Sequence, residues 1–455
     1  MGILQKNQKY DVEITDTNNL GYGVCRINGQ VVFVNGGVKG DVCRIKIIKV
    51  LKSYAVAICD EIYTPSKHRV SPKCQYKQCG GCVFHNISLE YENELKRDYI
   101  KNSAIKAGLK DIKVENVLCA DNEDCGYRNK AQYPLTVDKN GRICAGFYAS
   151  HTHTVVPCDS CYIAPEVFSD IIRKLIEYFE KEKYTVYNEI TQKGLLRHVY
   201  LRYGEQSGQI MLCLVVNGKG IPNEDKLVQY ITSEFPNIAT ICLNFNTENT
   251  NVVLSPNIKT IFGSGYIEDI LCGKRFCISP LSFYQVNRNG AEVLYNKAKE
   301  LMGDVSGDVI DLYCGIGTVG ICIASDAKRL IGVEIVPQAV EDARINAELN
   351  SLKNCSFYAG DASEISQITS KAECIIVDPP RKGLSNDVID YIVSALPKKV
   401  IYISCDPDTL IRDMVIFSQN GYTTDTLYPV NMFPRTQHVE SVVCLTRRLD
   451  VDMRR

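Results

Sequence analysis

The 455-residue chain contains no window approaching the ~20 uninterrupted apolar residues of a membrane-spanning helix. Its start, MGILQKNQKYDVEITD, lacks the long apolar stretch and small-residue cleavage site of a secretory signal. Both absences point to a soluble, cytoplasmic protein with no membrane partner. Internal repeats and low-complexity tracts are missing too. With 45% hydrophobic and 23% charged residues, the composition excludes a wholly disordered, collagen-like or coiled-coil chain. Strong net charge is also lacking: the formal value is -1, which by itself argues against a nucleic-acid partner. The distribution reverses that argument. Residues 1–115 carry 18 Lys and Arg against 12 Asp and Glu, and the remainder 34 against 41, as for a phosphate-attracting module joined to an enzyme.

Cysteine is what the chain has in abundance. The 21 cysteines are scattered, odd in number and not preceded by a secretory leader, so most are expected to be reduced core thiols. Only clustered ones carry information, above all Cys74, Cys79 and Cys82 in CQYKQCGGC. Three thiolates in a loop bounded by proline and glycine imply soft-metal ligation and call for a fourth ligand.

The length suggests roughly three domains, and the texture changes accordingly. Residues 1–60 read as short β-rich runs separated by glycine turns, the pattern of a small barrel. In VCRIKIIKV, Arg44, Lys46 and Lys49 interleave with Val42, Ile45 and Ile47, so the positive charge should project outward. Residues 61–275 hold the cysteine loop, a helical pattern from Ser88 to about Ala107, and β-like runs around an amphipathic helix near 165–182. RYGEQSGQIMLC reads as a hairpin turning at Gly204 to Gly208. Residues 276–455 alternate apolar runs (308–313, 329–334, 373–378, 399–404) with helical patterns, the signature of a parallel sheet covered by helices. In such sheets ligands bind beyond the carboxyl ends of the strands.

Every polar motif of the last third falls at such an end. Asp311-Leu-Tyr-Cys-Gly315-Ile-Gly317-Thr follows one strand, and Glu334 ends the next, where a carboxylate can bind both ribose hydroxyls. The loop lacks the dinucleotide fingerprint and the Gly-Lys-Ser/Thr of a phosphate loop, so S-adenosylmethionine is a better candidate than NAD or ATP. Asp378-Pro-Pro-Arg381 closes a third strand, Ser404-Cys405-Asp406-Pro407 a fourth, and His438-Val-Glu440 opens the last. Cys405 is a candidate nucleophile.

Together with SFYQVN upstream, YCGIGT, DPPRKG, ISCDP and HVE resemble the RNA 5-methyluridine methyltransferases, specifically the ribosomal branch that carries a TRAM barrel and an iron–sulfur cluster. GYGV, VVFVNGGVKGD and KSYAVA resemble the RNA-binding TRAM barrel, and YRNKAQYP and GLLRHVYLR fit the family's central domain, so the likeness spans nearly the whole chain. It implies a multidomain fold: a small TRAM/OB-like β-barrel at 1–60, an α+β central domain with iron–sulfur cysteines at 61–275, and a doubly wound Rossmann-like methyltransferase domain at 276–455. It implies Cys405 as nucleophile and Glu440 as general base, with Gln285, Tyr313, Glu334, Asp361 and Asp378 around S-adenosylmethionine. Cys74, Cys79, Cys82 and Cys161 would hold a four-iron, four-sulfur cluster, although the first gap of the motif is one residue shorter than the family's. Zinc on Cys79, Cys82, Cys158 and Cys161 is the alternative. Because four thiolates leave the cluster no open position, a structural or RNA-positioning role is expected, without electron transfer.

These residue types suit the chemistry. Uracil C5 is a poor nucleophile until a thiolate adds to C6, after which C5 accepts a methyl and a base removes its proton. A carboxylate opposite N3, such as Asp378, accepts from uracil and repels cytosine, and Arg381 could stabilise the enolate oxygen. The uridine must leave its stack, with Arg128, Arg197 and Arg202 expected to hold the flanking backbone. The expected partner is large-subunit (23S) ribosomal RNA, with no obligate protein partner and a monomeric enzyme. The transfer-RNA T loop is the nearest alternative substrate, and a catalytically silent RNA-binding module the alternative of another class.

Overall fold

Glycine turns divide the first part of the chain into strands Lys9–Glu13, Asp16–Thr17, Tyr22–Ile27, Gln30–Asn35, Val42–Val50 and Tyr54–Thr64, which form one strongly curled six-stranded sheet. The computed structural model describes residues 4–120, 124–150, 152–363 and 371–448. Cys43, Ile45 and Ile47 point into the barrel with Val32, Val34, Ala55 and Ala57, while Arg44 and Lys46 alternate outward, as the two-residue period of a strand requires. Val42 lies on the outer face, so Cys43 takes the inner place that the sequence pattern suggested for Val42.

The middle of the chain builds a seven-stranded sheet in the order Val155–Pro157, Ile143–Tyr148, Lys130–Val137, Leu196–Tyr203, Ile210–Val216, Ile238–Phe245, Ile258–Gly263. Leu196–Tyr203 and Ile210–Val216 are the expected hairpin. Helices Glu166–Lys181 and Glu224–Glu234 bury Phe168, Leu175, Phe179, Leu227 and Ile231 against this sheet.

The last sheet runs Cys355–Ala359, Arg329–Glu334, Asp308–Leu312, Cys374–Val377, Lys399–Ser404, Glu440–Arg447, Thr426–Val430, Lys113–Val114. Its first five strands are parallel, and Glu440–Arg447 runs antiparallel to Lys399–Ser404. Alternate side chains feed two cores: Val309, Ile376, Ile401 and Val442 on one face, Ile310, Ile375, Val400 and Val443 on the other. From Asp308–Leu312 the chain moves to one side for two strands and then returns to the other side at Cys374–Val377. The crevice where the order reverses opens at the carboxyl end of Asp308–Leu312.

One expected boundary is corrected. The helix Leu89–Lys106, begun by Ser88 Oγ accepting from the Tyr91 amide, falls within 61–275 but docks on the last sheet. Ile100 enters that core, the Tyr99 hydroxyl donates to Asp408 at 2.6 Å, and Lys113–Val114 pairs in parallel with Thr426–Val430. An apolar stripe shows that a helix packs, but not against which sheet.

Candidate active site

Cys405 occupies a corner that its neighbours lock on both sides. The Ser404 hydroxyl donates to the Asp406 carbonyl at 2.9 Å and accepts from the Asp406 amide at 3.1 Å. Asp406 Oδ1 then caps the helix Pro407–Gln419 by accepting from the Asp408 and Thr409 amides at 3.1 Å each. Across the antiparallel pair Ser404 faces Ser441, which brings Glu440 opposite Cys405. Glu440 is 5% exposed and Cys405 half-buried.

At this separation the groups act on one another's charge. Burial, then the facing carboxylates Glu440 and Asp378, push the Cys405 thiol up to about 11, with Arg381 pulling the other way. Burial and Asp378 push Glu440 up to about 8, again opposed by Arg381. Burial alone pushes Asp378 up to about 7. Cys405, Glu440, Asp378 and Arg381 thus form one electrostatic unit at the strand ends. Arg381 also lies 3.4 Å from the His438 ring nitrogens.

The neighbouring crevice is shaped by the loop after Asp308–Leu312. Tyr313, Gly315 and Gly317 have left-handed backbones (φ 64°, 54° and 82°), which turns the chain back under the helix Thr318–Ile323. Asp311 beneath the loop accepts from the Gly320 amide at 2.9 Å, while its other oxygen is buried without a hydrogen bond. Burial raises Asp311 to about 8, with the charges of Asp378 and Glu334 adding to the shift. Glu334 accepts from Gly315 N at 3.1 Å and Val336 N at 2.9 Å, one bond to each oxygen. That fixes the carboxylate plane and leaves each oxygen a further acceptor position.

Gln285, buried, neighbours the Tyr295 phenol, which lies 3.5 Å from the Thr318 hydroxyl and senses Asp378. Asp361, at the far edge, accepts from the Ser363 amide and hydroxyl at 2.8 and 2.6 Å and influences Tyr313. The structure therefore gathers Gln285, Tyr313, Glu334, Asp361, Asp378, Cys405 and Glu440 along one end of one sheet. Tyr295, Thr318 and the exposed apolar pair Ile335 and Val336 were not singled out from sequence. Their only signal was position, since two apolar residues directly after a strand-ending glutamate have no core to enter. The donor set fits an adenosyl group: a pre-aligned carboxylate for a ribose, exposed aliphatic side chains beside it for a purine face, and open space where a Gly315 side chain would stand.

The chain is similar to proteins with matching features. Residues 248–448 match the tRNA (Uracil-5-)-methyltransferase family and residues 4–58 the TRAM domain. An RNA methyltransferase of Clostridium tetani is 38% identical over 450 residues, 97% of each chain. One from Bacillus cereus is 39% identical over 451 residues, 97% of this chain and 98% of the relative. The chain belongs to the RNA uracil-5-methyltransferase family. The tRNA (uracil-54, C5)-methyltransferase of Pyrococcus abyssi, solved with S-adenosyl-L-homocysteine, is similar across 96% of this chain and all of its own, with 26% identity and a TM-score of 0.78. Members act on RNA with S-adenosylmethionine as methyl donor, so both follow for this chain. None of its described helices is long and apolar enough to cross a membrane.

A second concave region lies over the middle sheet. Cys74, Cys79, Cys82, Cys158 and Cys161 all border one cavity of about 550 Å³. Among the described residues, no three or more His, Cys, Asp or Glu side chains converge tightly enough to hold a single metal ion. Cys79 Sγ accepts from the Gly81 amide at 3.5 Å.

Of the three arginines expected at RNA, two are structural, which corrects that reading. Arg197 is buried and donates to Asn246 and Glu248 carbonyls at 2.9 and 2.8 Å. Arg202, 1% exposed, donates to the Ser282 carbonyl at 3.0 Å and so braces the segment leading to Gln285. Arg128 remains part-exposed, and with Arg202 its charge adds to the burial that lowers Lys130 to about 8.

Proposed function

We propose that the protein methylates C5 of a uridine in 23S ribosomal RNA through a transient bond between Cys405 and C6. The observation that carries this reading is the placement of Cys405 opposite Glu440 across one strand pair, with Asp378 and Arg381 in the same electrostatic unit. Gln285, Tyr313, Glu334, Asp361 and Asp378 would hold S-adenosylmethionine, which would supply an electrophilic methyl on a sulfonium whose positive charge suits a crevice rich in carboxyl groups and would leave as S-adenosylhomocysteine.

The chain's own residues do the rest. The Cys405 sulfur, giving up its proton to solvent, bonds to C6, and the C5–C6 electron pair moves toward O4 as an enolate. Arg381 stabilises that oxygen and Asp378 accepts from N3–H. Once C5 carries the methyl, the Glu440 carboxylate takes the C5 proton. The C–H pair re-forms the C5–C6 double bond and sulfur leaves as thiolate.

The amino-terminal TRAM barrel joined to the cysteine-lined cavity supports the ribosomal substrate. The full-length likeness to the Pyrococcus abyssi enzyme favours a second reading, a tRNA T-loop uridine. Mapping 5-methyluridine across ribosomal and transfer RNA of a deletion strain separates them. Loss of a 23S mark supports the first, loss of a tRNA mark the second, and loss of neither contradicts both.

The cavity is read as the seat of a four-iron, four-sulfur cluster held by Cys74, Cys79, Cys82 and Cys161. Five thiols bordering one cavity support soft-metal ligation there. Protein purified without oxygen should be brown and contain iron and labile sulfide. A colourless, zinc-loaded protein would reject the cluster.

A further inference from the structure

Arg435 joins the cysteine cavity to the strand that carries Glu440. Its backbone is left-handed (φ 70°), a conformation that a long side chain adopts only when surrounding bonds hold it. Those bonds reach every side. The Arg435 carbonyl accepts from the Val83 and Phe84 amides at 2.9 and 3.0 Å, directly after Cys82. Its amide donates to both Glu92 oxygens at 3.0 Å. The guanidinium donates to the Ile87 carbonyl at 2.7 Å, and its Nε (2.9 Å) and Nη2 both donate to Oδ2 of Asp124.

Asp124 extends the connection to the remaining cysteine segments. It accepts from the hydroxyl of Tyr162, the neighbour of Cys161, at 2.7 Å, and pairs with Lys73, the neighbour of Cys74, at 3.8 Å. Arg435 is 11% exposed at the side chain, Asp124 likewise, and both border the cysteine cavity. Five residues beyond Arg435 stands Glu440. The turn Phe433–Thr436 around Arg435 is pinned by the Thr436 hydroxyl, which donates to the Phe433 carbonyl at 2.8 Å, and by the Tyr127 hydroxyl, which donates to the Pro434 carbonyl at 2.8 Å; toward Glu440, Thr436 Oγ1 accepts from the His438 amide at 3.3 Å.

We propose that the Asp124–Arg435 pair is a positioning device that ties the three cysteine-bearing segments to the Glu440 strand and holds that carboxylate over the C5 proton. The proposal rests on the function given above. Arg435 is thus a positioning residue that acts through Glu440. Loosening it affects the second half of the reaction, in which Glu440 takes the C5 proton and the C–S bond breaks, and not the first, in which Cys405 adds to C6.

The test uses the full chain with Arg435→Asn, because asparagine tolerates a left-handed backbone but is too short to reach Asp124. With ordinary uridine RNA and methyl donor, the variant should form the adduct at the parental rate and resolve it about tenfold more slowly. Denaturing gels should then show methylated RNA bound to protein at a correspondingly higher steady level, and Arg435→Lys should restore part of the resolution rate. Thermal unfolding and iron content are measured alongside. Should Arg435→Asn not fold, Asp124→Asn, which keeps the arginine's bonds to Ile87 and Glu92, carries the same expectation. A parental adduct level in a folded variant, or equal slowing of formation and resolution, overturns the proposal. RNA containing 5-fluorouridine tells the two ideas apart. If the parent traps no adduct on it, the covalent reading fails; if parent and variant trap it equally while ordinary RNA shows no accumulation, only the positioning role fails.

Discussion

Glu440 and Cys405 face one another and repel when both are ionised, and the pH dependence follows. Glu440, near 8 in the free protein, is mostly protonated at neutral pH and works as a base only after losing that proton. The rate at which the methylated adduct resolves should therefore rise with pH toward about 8. Arg381 lowers the pKa of Glu440, so Arg381→Met should move the rising limb to higher pH as well as slow methyl transfer; a limb that stays or moves lower would contradict the arrangement. Replacing Glu440 by Gln removes the base but leaves the sulfur. Methylation should fall by about 10²- to 10⁴-fold while the RNA–protein adduct accumulates, measured by rapid-quench assay. Loss of both adduct and product would assign Glu440 a different part.

At the scale of elements, the glycine loop depends on close packing against its neighbours. Gly332 in the strand Arg329–Glu334 faces the Phe357 ring and the Cys314 sulfur, and a Cβ there would stand 2.4 Å from the ring. Gly332→Ala should destabilise the protein by about 1–3 kcal/mol and weaken binding of S-adenosylmethionine, because Glu334 is two residues away. Urea unfolding with calorimetric titration checks both, and wild-type values would refute the packing argument. The strands at 308, 329, 374 and 399 were legible because buried parallel strands are short apolar runs bounded by turns. Glu334, Asp378, Cys405 and Glu440 were legible because each stands at an end of a strand, whereas Gln285, between the strand Lys274–Ile278 and a helix, was expected only from the family resemblance. Lys96, Arg197, Arg202 and Arg435 were not legible in this way. A buried cation looks like a surface one in sequence, and the partner that buries it can lie far along the chain: Lys96 Nζ bonds Asn431 at 2.7 Å. The docking of Leu89–Lys106 on the last sheet is likewise a long-range pairing that local periodicity does not encode.

For the whole molecule, three buried acids set a stability trend. Asp311, Asp378 and Glu440 hold their protons in the fold to about 8, 7 and 8, whereas in the unfolded chain they ionise in the usual range of about 4. Between these limits the unfolded state binds fewer protons, so rising pH disfavours folding. The melting temperature of the ligand-free protein should fall as pH rises through about 8, and Asp311→Asn should flatten that slope; an unchanged slope would show that the acid is ionised in the fold. The barrel's outward Arg44 is already paired with Asp11 at 2.9 Å, and Lys9 with Asp60 at 2.7 Å. RNA affinity should therefore draw on fewer phosphates than the count of basic residues suggests, giving a shallow slope of log K against log salt. A slope as steep as one phosphate per barrel Lys and Arg would contradict this.

The most direct measurement is to incubate the protein with S-adenosylmethionine and RNA carrying 5-fluorouridine at the target site, where fluorine replaces the proton that Glu440 must remove. The account predicts a denaturation-resistant RNA–protein band whose cross-linked peptide contains Cys405, and no band with Cys405→Ser. A band that persists in the Cys405→Ser protein, or undiminished methylation of natural RNA by that protein, would contradict it.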